Sequence, residues 1–229
     1  MNFVNYAVEY EYAAMGLLTV LFTLYCARKK YPGMSNQVYV GMIVCTFMSC
    51  VMHVFAIKTL PYAASLPLVV NYVIHISYLI FYDLEAVLYM MYVIALTKRN
   101  KMSRANMIFT FAVIAVELIL LVTTPFTKLI IYFDEGMNYC HGPLFFAYPI
   151  VAGLLLVYST AMFINFRRNL SAMQVVTVSM FVVCMVGAAL LQLFKPEQVV
   201  GNFAVSASLV MFLIVLQNPD DFTDKAADC

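Results

Sequence analysis

An all-α polytopic membrane protein, a seven-transmembrane helix bundle, is the fold class that three observations predict. Of the 229 residues, 64% are hydrophobic and 11% charged, against roughly 45–50% and about 25% in soluble domains. Seven long apolar stretches run through the chain. The breaks between them carry Pro, Gly or clustered charge. A soluble domain of this size keeps a polar skin, so the composition excludes an ordinary cytosolic enzyme. A net charge of +1 sets up no field for phosphates and excludes a nucleic-acid partner. The lipid bilayer is the partner the composition does demand.

Each span needs about 20 mostly apolar residues. Span 1 is residues 12–27, starting after Glu9 and Glu11 and stopping at Arg28-Lys29-Lys30-Tyr31-Pro32-Gly33. Span 2 is 38–57, closed by the segment from Pro61 to Pro67. Span 3 is 68–96, closed by Lys98-Arg99-Asn100-Lys101. Span 4 is 106–124, and the segment from Pro125 to Pro143 follows it. Spans 5, 6 and 7 are 144–166, 172–194 and 198–217, separated by Arg167-Arg168-Asn169 and by Lys195-Pro196-Glu197. Barrel strands would be about 9–11 residues with strict alternation, a pattern absent here. No basic region precedes span 1, so no cleavable signal peptide is expected. The six cysteines show no CxxC or zinc spacing and read as small hydrophobes.

The Lys/Arg bias orients the bundle. With the N-terminus outside and the C-terminus inside, the inner loops hold nine basic residues and no acid, and the outer loops only Lys58, Lys128 and Lys195. The outer segment 125–143 contains β-prone Leu129 to Phe133, a turn signal at Asp134-Glu135-Gly136, and a return from Met137 to Cys140. It reads as a hairpin lid or as an irregular connector.

Ionisable groups inside a span are costly and mark candidate sites. Asp83, Glu85, Glu117, His53 and His75 lie within spans. At about 1.5 Å per residue, His53 sits about 6 Å below the outer boundary, and His75 and Glu117 about 10 Å. Asn71, Tyr148, Gln192 and Asn202 fall near the same outer ends. Along span 3, Asn71, His75, Tyr78, Tyr82, Glu85, Tyr89 and Tyr92 alternate in steps of four and three. They share an arc of about 100° that should face the bundle interior. Asp83 points about 120° from the centre of that stripe and needs another helix as partner.

Two readings stay open for these residues: interhelical hydrogen bonds that satisfy one another, or an outward-open pocket for an unknown small-molecule ligand. Ligand-binding candidates are His53, Asn71, His75, Tyr78, Tyr82, Glu117, Tyr148, Gln192 and Asn202, with Asp83 and Glu85 as a switch or relay. No pair has ligand spacing on one helix, so no metal and no cofactor is expected. Span 7 has no Lys for a retinal Schiff base and no His for an intramembrane zinc hydrolase. Catalytic chemistry is therefore not expected.

Span 7 ends in Leu216-Gln217-Asn218-Pro219-Asp220-Asp221-Phe222-Thr223-Asp224-Lys225. This stretch resembles the junction in bacterial receptors where a seven-helix sensor, similar to the histidine-kinase N-terminal seven-helix region, precedes a GGDEF diguanylate cyclase. Tyr132-Phe133-Asp134-Glu135, Tyr139 and Gly142-Pro143 look like the loop between spans 4 and 5 of that family. The resemblance implies a sensor domain over 1–217 in the plasma membrane. The tail 218–229 would be a signal linker, with Asn218, Pro219, Phe222 and Asp224 as its marks. It further implies a cytoplasmic output, fused or supplied in trans, and a homodimer through that output. The sequence departs from the family after Lys225, where Ala226-Ala227-Asp228-Cys229 replaces the entry to the cyclase. This chain is then expected to carry no output enzyme of its own. A small proton-coupled transporter using Asp83, Glu85 and Glu117 is the competing reading.

Overall fold

The computed structural model describes residues 8–27, 33–97, 104–194 and 200–216. The basic loop clusters at 28–30 and 98–101, and the linker residues Asn218, Pro219, Phe222 and Asp224, lie outside the described residues. Seven helices run in order: α1 (Glu9–Ala27), α2 (Met34–Thr59), α3 (Leu68–Thr97), α4 (Arg104–Thr127), α5 (Ala147–Phe166), α6 (Ala172–Phe194) and α7 (Gly201–Leu216). Six of them are long and apolar enough to cross a membrane, and α7 is shorter. Their outward faces carry Phe111, Ile119, Val122, Leu154, Val157 and Val183 in exposed positions. Water would not tolerate that belt, whereas lipid requires it. The protein is a membrane-embedded helical bundle.

The helix ends follow local chemistry. At α6, Gln174 Oε1 accepts from the Ser171 N–H at 3.1 Å, and Ser171 Oγ accepts from the Gln174 N–H at 3.3 Å. That reciprocal pair is a capping box. α4 runs beyond the expected residue 124 and takes Pro125 into its last turn. It stops at Lys128, whose φ of 55° is the left-handed conformation that ends helices. The Lys128 N–H still donates to Thr124 O at 2.8 Å, and the Ile130 N–H to Thr124 Oγ1 at 3.3 Å.

Between α4 and α5 the chain forms a two-stranded antiparallel hairpin, β1 (Ile131–Phe133) and β2 (Tyr139–His141), with Tyr132 opposite Cys140. Its turn is held by Asp134, which accepts from the Asn138 N–H at 2.8 Å. α3 is the central helix. It packs on α2 along its length, on α5, and on α4 with the hairpin. α1, α2 and α7 form a second group, with α6 against α7. α5 and α6 barely touch.

Gly142 fixes the hairpin to the end of α4. Its N–H donates to Ile130 O at 2.7 Å. A Cβ there would sit 2.3 Å from both Lys128 O and Leu129 O, and neither backbone carbonyl can swing away. Gly142→Ala is expected to destabilise this junction by about 1–3 kcal/mol. Amide hydrogen exchange in residues 131–141 should accelerate. Unchanged protection of those amides would show that the junction has room.

Candidate functional site

The polar groups expected at the outer ends separate into four places. The first is centred on a residue that the sequence reading put outside span 1. α1 begins at Glu9, three residues before the expected start, and carries Glu11 into the interior with no exposed surface. Glu11 Oε1 lies 2.7 Å from His53 Nδ1 and Oε2 accepts from Asn202 Nδ2 at 2.9 Å. The Cys50 thiol lies beside the same carboxylate. Ser49 Oγ then donates to Asn202 Oδ1 at 3.3 Å, long for a hydroxyl. Ser49 also stands beside Glu85 of α3. A row of polar groups thus runs across α1, α2, α7 and α3, from His53 to Glu85.

One signal in the sequence could have found Glu11. The buried residues of α1 are Glu11, Ala14, Leu18, Leu21 and Tyr25, a regular three–four repeat. Glu11 falls on that repeat, and Glu9, which is exposed, does not.

The second place lies under the hairpin. Asn71 Nδ2 donates to Ala63 O at 2.9 Å, tying the turn after α2 to α3. His75 Nδ1 donates to Asn71 O at 2.9 Å, which leaves Nε2 as the acceptor nitrogen, buried and without a partner. Tyr139 stacks on this ring with centroids 4.9 Å apart, and Phe133 meets it edge-on at 5.4 Å. The hairpin therefore covers His75. Tyr78 stacks instead on His53, with centroids 4.3 Å apart, and so belongs to the Glu11 chain.

The third place is between α3 and α4. Asp83 and Glu117 line a small cavity of about 110 Å³ and lie close enough to act on each other. This pair lies on the opposite side of α3 from Glu85, as the angle between Asp83 and the stripe requires. The three acids of the proposed relay are thus two separate groups.

The fourth place is a cavity of about 420 Å³ between α3, α5, α6 and α7. That volume is in the range of small-molecule sites. Tyr82, Glu85 and Tyr89 from the α3 stripe form one wall. Gly153 of α5, Phe181 of α6 and Gly201 and Val205 of α7 belong to the others. Ala152 and Gly153 of α5, Ala189 of α6 and Gly201 of α7 leave the void, and residues so far apart in sequence give no local signal for it. Glu85 Oε1 and the Tyr89 hydroxyl are buried without a partner. The side chains of Tyr148 and Gln192 lie outside the described residues. Among the described residues no three His, Cys, Asp or Glu side chains converge as a metal site would need.

No family model, no curated protein and no solved structure matches this chain. The sites are therefore read from their own chemistry.

Two expectations follow. Glu11→Ala strips partners from His53, Asn202 and Cys50, and breaking a buried pair in this way should cost about 3 kcal/mol. Unfolding in mixed micelles should show that loss, while Glu9→Ala should leave stability unchanged. Equal effects from the two would remove Glu11 from its central role.

The second concerns pH at the hairpin. Hydrogen bonds from Asn138 hold the Asp134 carboxyl below its usual 3.8, a contribution lost only as pH falls through that lowered value. Burial holds the His141 imidazole below its usual 6.5, and the ring stacks on Phe145 with centroids 3.7 Å apart. The unfolded hairpin protonates His141 first, so stability is full above about pH 6.5 and falls as the pH drops below it. Hairpin amide protection, corrected for intrinsic exchange, should weaken between about pH 7.5 and pH 5. His141→Phe should abolish the dependence. Persistence in that variant would assign it elsewhere.

Proposed function

We propose that this chain is a membrane-embedded sensory module that takes a small molecule into the cavity between α3, α5, α6 and α7 and relays a helix rearrangement to the cytoplasmic side. The observation that carries this reading is the cavity itself: about 420 Å³, walled in part by the polar stripe of α3. α7 reaches the same cavity through Gly201 and Val205. Its Asn202 is bonded to Glu11 of α1. A ligand that fits one arrangement of these walls better than another shifts the balance between them. α7 leads directly into the segment 218–225, whose sequence resembles the linker of cyclase-coupled sensors. An orientation with the N-terminus outside places that segment at the cytoplasm, facing an output fused or supplied in trans. Localisation to the plasma membrane and pairing into a homodimer belong to the same reading.

A second reading has its own observation. The chain from His53 through Glu11, Asn202 and Ser49 to Glu85 has the composition of a proton path. A proton-coupled carrier would use Glu11, His53 and Glu85, with Asp83 and Glu117 set apart.

One experiment addresses both. The chain is reconstituted in liposomes containing a pH dye and challenged with a panel of fragment-sized apolar compounds, each bearing one hydrogen-bonding group. Gly153 has open space where a Cβ would stand, so Gly153→Leu fills the cavity without a backbone clash. The sensor reading expects a subset of compounds to raise the melting temperature of the wild type and none to raise that of Gly153→Leu, with no proton flux. Ligand-driven proton flux that Glu11→Gln abolishes would establish the carrier instead. No stabilisation by any compound would sink the cavity as a binding site.

A further inference from the structure

We infer that the cavity takes a hydrophobic amine, with Glu85 as the partner of its cationic nitrogen; the inference rests on the cavity being the binding site. Glu85 is on the wall with one oxygen, Oε1, unpartnered, and the Tyr89 hydroxyl on the same wall is also unpartnered. A buried carboxylate with an open acceptor is costly until a donor reaches it. Among the described residues no Lys or Arg pairs with Glu85; the charged side chain that acts on it is Glu11, another acid. His53 is the partner of Glu11, which leaves the positive charge for Glu85 to be supplied from outside.

The remaining wall suits an apolar body attached to that charge. Tyr89 and Phe181, both on the wall, are stacked with centroids 3.8 Å apart, and aromatic rings attract a cation as well as apolar groups. Ala152 and Gly153 carry almost no side chain and leave room beside them. α5 and α6, which both wall the cavity, barely touch each other. That loosely packed seam is the route we assign to an amphipathic amine arriving from lipid. Acids fit poorly, because they would meet Glu85 as a like charge.

The test compares phenethylamine with phenethyl alcohol, a neutral molecule of nearly the same shape, on the full chain in nanodiscs by calorimetry. The inference expects the amine to bind at least tenfold more tightly than the alcohol. Glu85→Gln should remove most of that preference by weakening the amine far more than the alcohol, and an unaltered helical circular-dichroism spectrum shows that the variant is folded. Tyr89→Phe should weaken the amine several-fold. Equal binding of the two probes, indifferent to Glu85→Gln but lost in Gly153→Leu, would overturn the amine and leave the cavity as the site. Binding of neither probe, or binding untouched by Gly153→Leu, would overturn both readings.

Discussion

A carboxylate without water must find all its donors inside the protein, and Glu11 imposes that requirement on three helices at once. Lipid offers nothing to an acid, so the side chain recruits His53 and Cys50 from α2 and Asn202 from α7. Each recruit fixes the rotation of its own helix. Once His53 points inward, Tyr78 of α3 can stack on it. Once Asn202 is engaged, its amide oxygen can accept from Ser49. Apolar packing in a membrane distinguishes poorly between rotations of a helix, since lipid tails are as apolar as the core. The polar chain supplies the specification that packing lacks.

α3 divides the molecule by chemistry. One side carries the stripe ending in Glu85 and Tyr89, continuous with Glu11 and open to the large cavity. The other holds Asp83 beside Glu117 at a separate, small cavity. Glu85 Oε1 and the Tyr89 hydroxyl keep no partner on the first side, as Glu117 Oε1 keeps none on the second. The two sides differ in room: only the first opens on a space large enough for a small molecule.

Much of the fold is legible in the sequence because the bilayer reduces it to lengths and breaks. The apolar stretches and the helices agree to within a few residues. The hairpin also follows from its turn residues, since Asp134 and Asn138 close it as their side chains suggest. The extension of α4 through Pro125 is not legible: a proline in a last turn forfeits one hydrogen bond, a loss that the Thr124 contacts offset. Glu11 reads as lying before span 1 until the period of its own helix is followed. At the site, the spacing along α3 reveals one wall, because a single helix has a known geometry. The opposite walls come from Ala152, Gly153 and Phe181, whose proximity depends on how α5 and α6 sit against α3. No spacing within one segment encodes that arrangement.

α4 packs chiefly on α3 and the hairpin, and turns Ile108, Phe111, Ile119 and Val122 outward. Acyl chains read those side chains only as oil, without regard to shape. Over evolutionary time Ile, Leu, Val and Phe are therefore interchangeable along that face, and it will drift freely among descendants of this chain. Its buried side, with Glu117 and Thr124, is held fast. Two rates of change on one helix, half a turn apart, would be the historical record of where lipid ends and protein begins.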